Sequence, residues 1–319
     1  MHIRRLIQTL RADLRLDTTR GSLIRSAGVT AGLNIGATVI AFLASLLYAR
    51  ALGPHDYGLY AYVIAWATLL AIPVSLGFPG YFVREGAKTP FSTGWLRRWA
   101  DKRILIAGLS AAILMASAWY IPQAAGSRWL FVAAALLPLI NALGSIRSAL
   151  LQSQGQVVRS LWATQIAGPT LMLVVLGALW IWRGRLHPVE LIFAMMGASL
   201  LQLFINSWQL HQTSPRPKFK PVEGMRLRAA LPFMWLGGLY LINNRTDLIM
   251  LGSLRGAHDA GVYAVASRIA ALVTFFAVAA NANLAPKIAQ LYHNGEHVLL
   301  QRMLRGAGQR IVAVTAPFT

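Results

Sequence analysis

Long apolar runs separated by short polar breaks fill most of the chain. Blocks of about 20 apolar residues, the length a helix needs to cross a hydrocarbon core, fall at about 27–49, 57–80, 104–121, 129–150, 161–182, 189–210, 230–253 and 258–284. A ninth begins near residue 309 and offers 11 residues, Thr319 included. At 1.5 Å per residue that is about 16 Å, too short to cross. The chain therefore reads as ending inside a helix. Backbone polar groups cannot stay unpaired in lipid, so the runs predict helices. The expected fold is an all-α integral membrane bundle.

Composition narrows the picture. Of 319 residues, 56% are hydrophobic and 13% charged, against roughly 25% charged in soluble domains. That excludes an ordinary soluble enzyme and a disordered chain. The absence of cysteine excludes a disulfide-stapled domain, a thiolate nucleophile and a zinc ribbon. A net charge of +20 would fit nucleic acid in a polar chain. Here it follows topology. With the N-terminus inside, 23 of 30 Lys and Arg fall in the arm 1–26 and in 84–103, 147–160, 211–229 and 285–310. Five fall on the opposite side, and Arg245 and Arg268 lie within spans. Such a bias orients a membrane protein and faces anionic inner-leaflet lipid. No nucleic-acid partner is expected. The basic arm lacks the apolar core of a signal peptide. Trp119, Tyr120, Trp129, Trp180, Trp182 and Trp208 stand at span ends, where amphipathic rings favour the headgroup level. Trp95 and Trp99, among Arg97, Arg98, Lys102 and Arg103, suggest a helix lying on the inner surface.

An internal repeat organises the spans. Gly53-Pro54-His55-Asp56-Tyr57-Gly58-Leu59-Tyr60-Ala61 returns as Gly256-Ala257-His258-Asp259-Ala260-Gly261-Val262-Tyr263-Ala264, with six of nine positions identical at an offset of 203. Six spans separate the copies, so the repeat is parallel, not inverted. Two six-helix lobes are expected, the second incomplete: an arm 1–26, a first lobe 27–210, a cytoplasmic linker 211–229 and an incomplete second lobe 230–319. Gly53 and Gly256 would allow a tight turn. Asp56 and Asp259 are placed to cap the incoming helix, with Tyr60 and Tyr263 one turn inside. His55 and His258 could sense pH.

These residues carry a resemblance. The run Tyr48-Ala49-Arg50-Ala51-Leu52-Gly53-Pro54-His55-Asp56-Tyr57-Gly58-Leu59-Tyr60-Ala61 resembles the first-hairpin signature of polysaccharide and O-antigen flippases, A-R-x-L-G-P-x-x-[YF]-G-x-Y. Val83-Arg84-Glu85, Asn244-Arg245-Thr246-Asp247-Leu248-Ile249-Met250-Leu251-Gly252, Gly261-Val262-Tyr263 and Ala266-Ser267-Arg268 are similar to further parts of that family. The resemblance implies the multidrug/oligosaccharidyl-lipid/polysaccharide exporter superfamily, with twelve or more helices in two lobes. It implies a transporter, not an enzyme, without a cofactor. Its load would be an undecaprenyl-pyrophosphate-linked oligosaccharide moved from the inner to the outer leaflet of a bacterial inner membrane. Membrane lipids and polysaccharide polymerase or assembly proteins would be its partners. On that comparison the second lobe lacks four spans, and a transport-incompetent fragment is an alternative. Others are a cation-coupled multidrug exporter and a peptidoglycan-precursor flippase of the same superfamily.

Charges inside spans are costly and mark candidate sites. Arg245 and Arg268 lie at similar depth, about 12–15 Å below one end. Their repeat equivalents are Phe42 and Ala65, and that of Asp247 is Ala44, so the hairpin architecture does not itself demand these charges. They line a polar cavity, or Asp247 and Arg268 form a buried ion pair; both can hold. Arginine pairs with phosphate oxygens in bidentate fashion, and amides such as Asn34, Asn243 and Asn244 could meet sugar hydroxyls or instead bond between helices. Asn141, Gln165, Gln202 and Asn206 are further amides of this kind. Asp247 could couple a cation or proton. Arg25, Arg84 and Arg147 at inner span ends could meet the pyrophosphate first, or snorkel to headgroups. Gly28, Gly32 and Gly36 predict close helix packing in span one. Pro73, Pro79 and Pro169 predict bends. No P-loop, nucleophile elbow or metal-ligand spacing occurs.

Overall fold

The structure, a computed structural model, describes residues 19–86, 93–117, 120, 128–213, 227–271 and 301. The basic arm up to residue 18, most of the linker, the end of the eighth span and the ninth run lie outside the described residues. Helices account for nearly all of what is described, and no strand occurs among the described residues. The chain divides into two compact units, Met1–Val262 and Tyr263–Thr319.

Spans one and two form one helical element, α1 (Thr19–Ser75), broken at Gly53. Gly53 has φ 78° and ψ 170°, a conformation open to glycine and strained for other residues. Gly256, its repeat equivalent, has φ 93° and separates α9 (Leu227–Leu254) from α10, the helix over 257–271. The shared turn geometry follows from the shared glycine. Pro73 lacks an N–H, and α1 ends two residues later. The chain turns at Leu76 and Gly77 and restarts as α2 (Phe78–Gly86), with Pro79 in its first turn, where its missing N–H costs nothing.

Span three lies in α3 (Thr93–Ser117). Trp95 and Trp99 occupy its first turns, so the expected surface helix is instead continuous with the span. Span four is α4 (Arg128–Ala134) and α5 (Leu137–Ser153), parted by a turn before Pro138. The segment 147–160, expected as an inner loop, is mostly helical: α5 runs to Ser153 and α6 (Val157–Leu161) follows a three-residue turn. A π-helical segment (Trp162–Ala167) leads into α7 (Gly168–Arg183). Pro169 explains it: without an N–H it cannot bond the carbonyl of Gln165, and the ladder widens. Span six is α8 (Pro188–Thr213).

The stretches Gly32–Ser75, Arg128–Ser153, Val157–Arg183 and Pro188–Thr213 are long and apolar enough to cross a membrane. Exposed apolar side chains on these stretches and on α3 and the helix Leu227–Leu254 agree. Ile106, Ile113, Leu114, Ile181, Phe204, Leu236 and Leu239 are all exposed, a cover that water would not tolerate and lipid requires. Trp129, Trp182 and Trp208 are exposed near helix ends, as anchors should be. The protein is an all-α membrane protein.

Within the first unit α5 is the hub, packed against α8, α2, α1 and α3. Phe78, Phe82, Ile104, Ile146, Leu150 and Leu151 form the core toward one end. Val63, Ala67, Met115, Leu130, Phe131 and Ile192 form it toward the other. Phe78 and Phe82 stack at 5.7 Å. Of the expected Gly28–Gly32–Gly36 packing stripe, the surroundings of Gly28 lie outside the described residues, and Gly32 and Gly36 are not tightly packed. A Cβ on Gly32 would meet nothing within 4 Å, and one on Gly36 only Ile166 at 3.7 Å. Close approaches occur elsewhere: Gly80 against Phe233, Gly108 against Leu139, Gly252 against Tyr62. Small residues permit such contacts wherever two helices press hardest, and repetition along one helix does not say where that is.

Candidate functional site

A cavity of about 540 Å³, lined by both apolar and polar side chains, opens at the Arg84 end of the first unit. Its walls are Pro79, Gly80, Val83 and Arg84 of α2, Ser145, Ser148, Ala149 and Gln152 of α5, Thr164 of the π-helical segment and Gln202 of α8. Ser145, Ser148 and Gln152 fall at i, i+3 and i+7, so one face of α5 turns polar here. The widened backbone before Pro169 carries Thr164 into the same wall.

The hydrogen bonds fix what the cavity can offer. Ser145 Oγ donates to Ala142 O at 2.8 Å, and Thr164 Oγ1 to Ser160 O at 3.1 Å. A hydroxyl that has donated its proton within its own helix keeps its lone pairs as acceptors. Ser148 Oγ and Ser160 Oγ lie 2.6 Å apart, and Gln152 Nε2 donates to them at 3.1 and 3.3 Å. This network ties α5 to α6 and is buried at both serines. Gln202 adds a carboxamide with both donor and acceptor. Among the described residues of the lining, Arg84 is the charged one. Its side chain is 62% exposed, its Cζ sits 5.8 Å from the Phe233 ring centroid, and Glu85 is 3.8 Å from its Nε. Donors, acceptors and one guanidinium in an otherwise apolar bundle suit a hydroxylated, anionic ligand.

The residues singled out from the sequence are dispersed. Arg84 is at the cavity. Arg147 is not a free inner-face cation. It is buried, its terminal nitrogens donating to Asp101 Oδ1 and Oδ2 at 2.8 and 2.7 Å, a bidentate pair that clamps α5 to α3. Its Nε has no hydrogen-bond partner. The Arg25 side chain lies outside the described residues. Asn34 is exposed, its carbonyl accepting from Thr38 Oγ1 at 2.8 Å. Asn243 is exposed, and Asn244 Nδ2 donates to Tyr240 O at 2.7 Å in its own helix. Arg245 is half-buried and Asp247 exposed on α9. Arg268 belongs to the second unit and is exposed there. Ser145, Ser148, Gln152 and Thr164 were not anticipated. The spacing of the first three was the legible signal. Among the described residues no cluster of His, Asp or Glu could hold a metal ion.

A helical bundle of membrane-spanning length with a cavity between its helices defines the class: an all-α membrane protein. Residues 23–292 match the family described as polysaccharide biosynthesis protein, and the chain belongs to that family. A solved structure described as "protein A" is similar, with a TM-score of 0.54 and 12% identity over 95% of this chain and 73% of that one. That likeness concerns the fold. No curated protein matches significantly.

Proposed function

We propose that the protein is a transporter that moves a lipid-linked oligosaccharide, carried on undecaprenyl pyrophosphate, across the bacterial inner membrane, and that it performs no covalent chemistry. The N-terminus is cytoplasmic, which puts the Arg84 end on the inner side, where such a precursor is made. The observation that carries this reading is the cavity lining: acceptor hydroxyls, two carboxamides and Arg84. Sugar hydroxyls both donate and accept, and a pyrophosphate needs a guanidinium more than any other side chain. Arg245 serves as a second phosphate contact along the path, and Asp247 as a coupling site. Polysaccharide polymerase and assembly proteins are the partners that would receive the load.

The test is binding. Purified protein is titrated with a polyprenyl pyrophosphate-linked saccharide and, in parallel, with the polyprenyl pyrophosphate alone and the free saccharide. The linked form should bind tightest, and Arg84→Ala should weaken the two pyrophosphate ligands at least about tenfold, the effect of losing one charged hydrogen-bond pair of roughly 1.5–3 kcal/mol. Equal, weak binding of all three by wild type and variant would sink the reading.

A further inference from the structure

The Arg84 guanidinium rests on a ring from a helix far along the chain. Phe233 belongs to α9, beyond the linker 211–229, and packs against α2. Gly80, Tyr81 and Arg84 meet it from one side of α2. A Cβ placed on Gly80 would lie 2.8 Å from Phe233 Cδ1, so the missing side chain is the notch that admits the ring. Tyr81 stands at 6.5 Å and 72° to it, an edge-to-face contact. Arg84 Cζ lies 5.8 Å from the ring centroid. Just before α2 begins, a Cβ on Gly77 would overlap the Ala230 carbonyl. The two backbones are pressed together there, which leaves the ring little room to shift. All of these residues lie in the first unit. At the repeat offset of 203, Phe233 corresponds to Thr30, so the hairpin architecture does not itself demand a ring at this position.

The ring answers a need of the cavity. Among the described residues, Gly80 and Arg84 line it and Phe233 stands outside the lining. The Arg84 side chain is 62% exposed. An exposed arginine samples many rotamers, and ordering it when a ligand arrives costs binding energy. Glu85 is 3.8 Å from the Arg84 Nε, but an exposed pair of charges fixes little. A ring face attracts a guanidinium through its quadrupole and uses none of its N–H donors as it would use an acceptor. Such a contact holds the cation in place and leaves its donors for phosphate oxygens.

We infer that Phe233 is a positioning residue for the load: its ring holds the Arg84 guanidinium at the cavity and so strengthens the grip on the pyrophosphate. This role rests on the transporter reading and adds to it a residue that does not touch the load. Gly80 takes part by leaving the notch in which the ring sits.

The test is a set of titrations on the full gene product in detergent, with undecaprenyl pyrophosphate and uncharged undecaprenol as probes. Phe233→Leu, which keeps an apolar side chain in the notch, should weaken the pyrophosphate about two- to fivefold, the equivalent of roughly 0.5–1 kcal/mol. Undecaprenol should bind as before, and Phe233→Tyr should bind both probes as the wild type does. On an Arg84→Ala background, Phe233→Leu should change nothing further, because a residue that acts through Arg84 has nothing left to act on. Fluorinated phenylalanines placed at position 233 keep the ring's shape and drain its negative face, so pyrophosphate affinity should fall stepwise with fluorine number. That series reads the same contact even where Phe233→Leu fails to fold. Equal weakening of both probes, an undiminished effect on the Arg84→Ala background or a flat fluorine series would overturn the positioning role. Arg84→Ala without effect on the pyrophosphate would fail the cavity reading itself, and the role of Phe233 with it. Arg84→Ala that weakens the pyrophosphate while Phe233→Leu does not would fail the positioning role alone.

Discussion

The two ends of the first unit solve opposite problems. At the Gly53 end the chain discards side chains: Gly58 and Gly261 bring backbones into contact and leave no room for a ligand. At the Arg84 end it gathers polar side chains around a cavity of about 540 Å³. Both ends lie in helices of similar apolar composition, so hydropathy alone cannot separate them. What separates them is which helix faces carry glycine and which carry serine, threonine and glutamine.

Substitutions can break this contrast, and their effects should fall in order. The largest is Asp101→Ala. It leaves Arg147 buried without its bidentate partner, and an uncompensated buried charge costs about 3–5 kcal/mol. Thermal unfolding in detergent should show a large drop, with much of it recovered when Arg147→Met is added. A drop that the double variant does not relieve would mean the pair is not what clamps α3 to α5. Next is Gly58→Val at the Gly53 end, where overpacking should cost about 1–3 kcal/mol. The same measurement on Gly32→Val should register almost no change, since nothing lies within 4 Å there.

At the Arg84 end the expected signature differs. Gln152→Ala removes the donor shared by Ser148 and Ser160 and should cost about 1 kcal/mol. The smallest effect on stability is Arg84→Ala. Its side chain is largely exposed, and its contact with Phe233 is worth about 0.5–1 kcal/mol. Its effect on ligand binding should be the largest of the series. Stability and function thus rank the two ends in opposite order.

Much of the fold was legible in the sequence. Apolar runs located the long helices, because span length follows from bilayer thickness, but not α2 or α6, which lie mostly in the breaks between runs. The turns at Gly53 and Gly256 were legible because a left-handed backbone selects glycine. The site was less so. Arg147 read as an inner-face cation because its partner, Asp101, lies 46 positions away, and no local pattern links them. The Gly28–Gly32–Gly36 stripe read as packing because spacing reveals a face and not its neighbour. Ser145, Ser148 and Gln152 shared a face that the sequence displayed, but their wall needed Arg84, Thr164 and Gln202 from three other elements to become a cavity. Gly58 and Gly261 stood inside the quoted repeat, yet their contact needed the fold to bring the two turns together.

The most direct measurement is surface polysaccharide in a strain whose own copy is replaced by the Arg84→Ala gene, with membrane levels of the protein measured alongside. Lost or strongly reduced polysaccharide at normal protein levels, with partial recovery by Arg84→Lys, is the result expected if this cavity receives the anionic precursor. Unchanged polysaccharide at normal protein levels would contradict it.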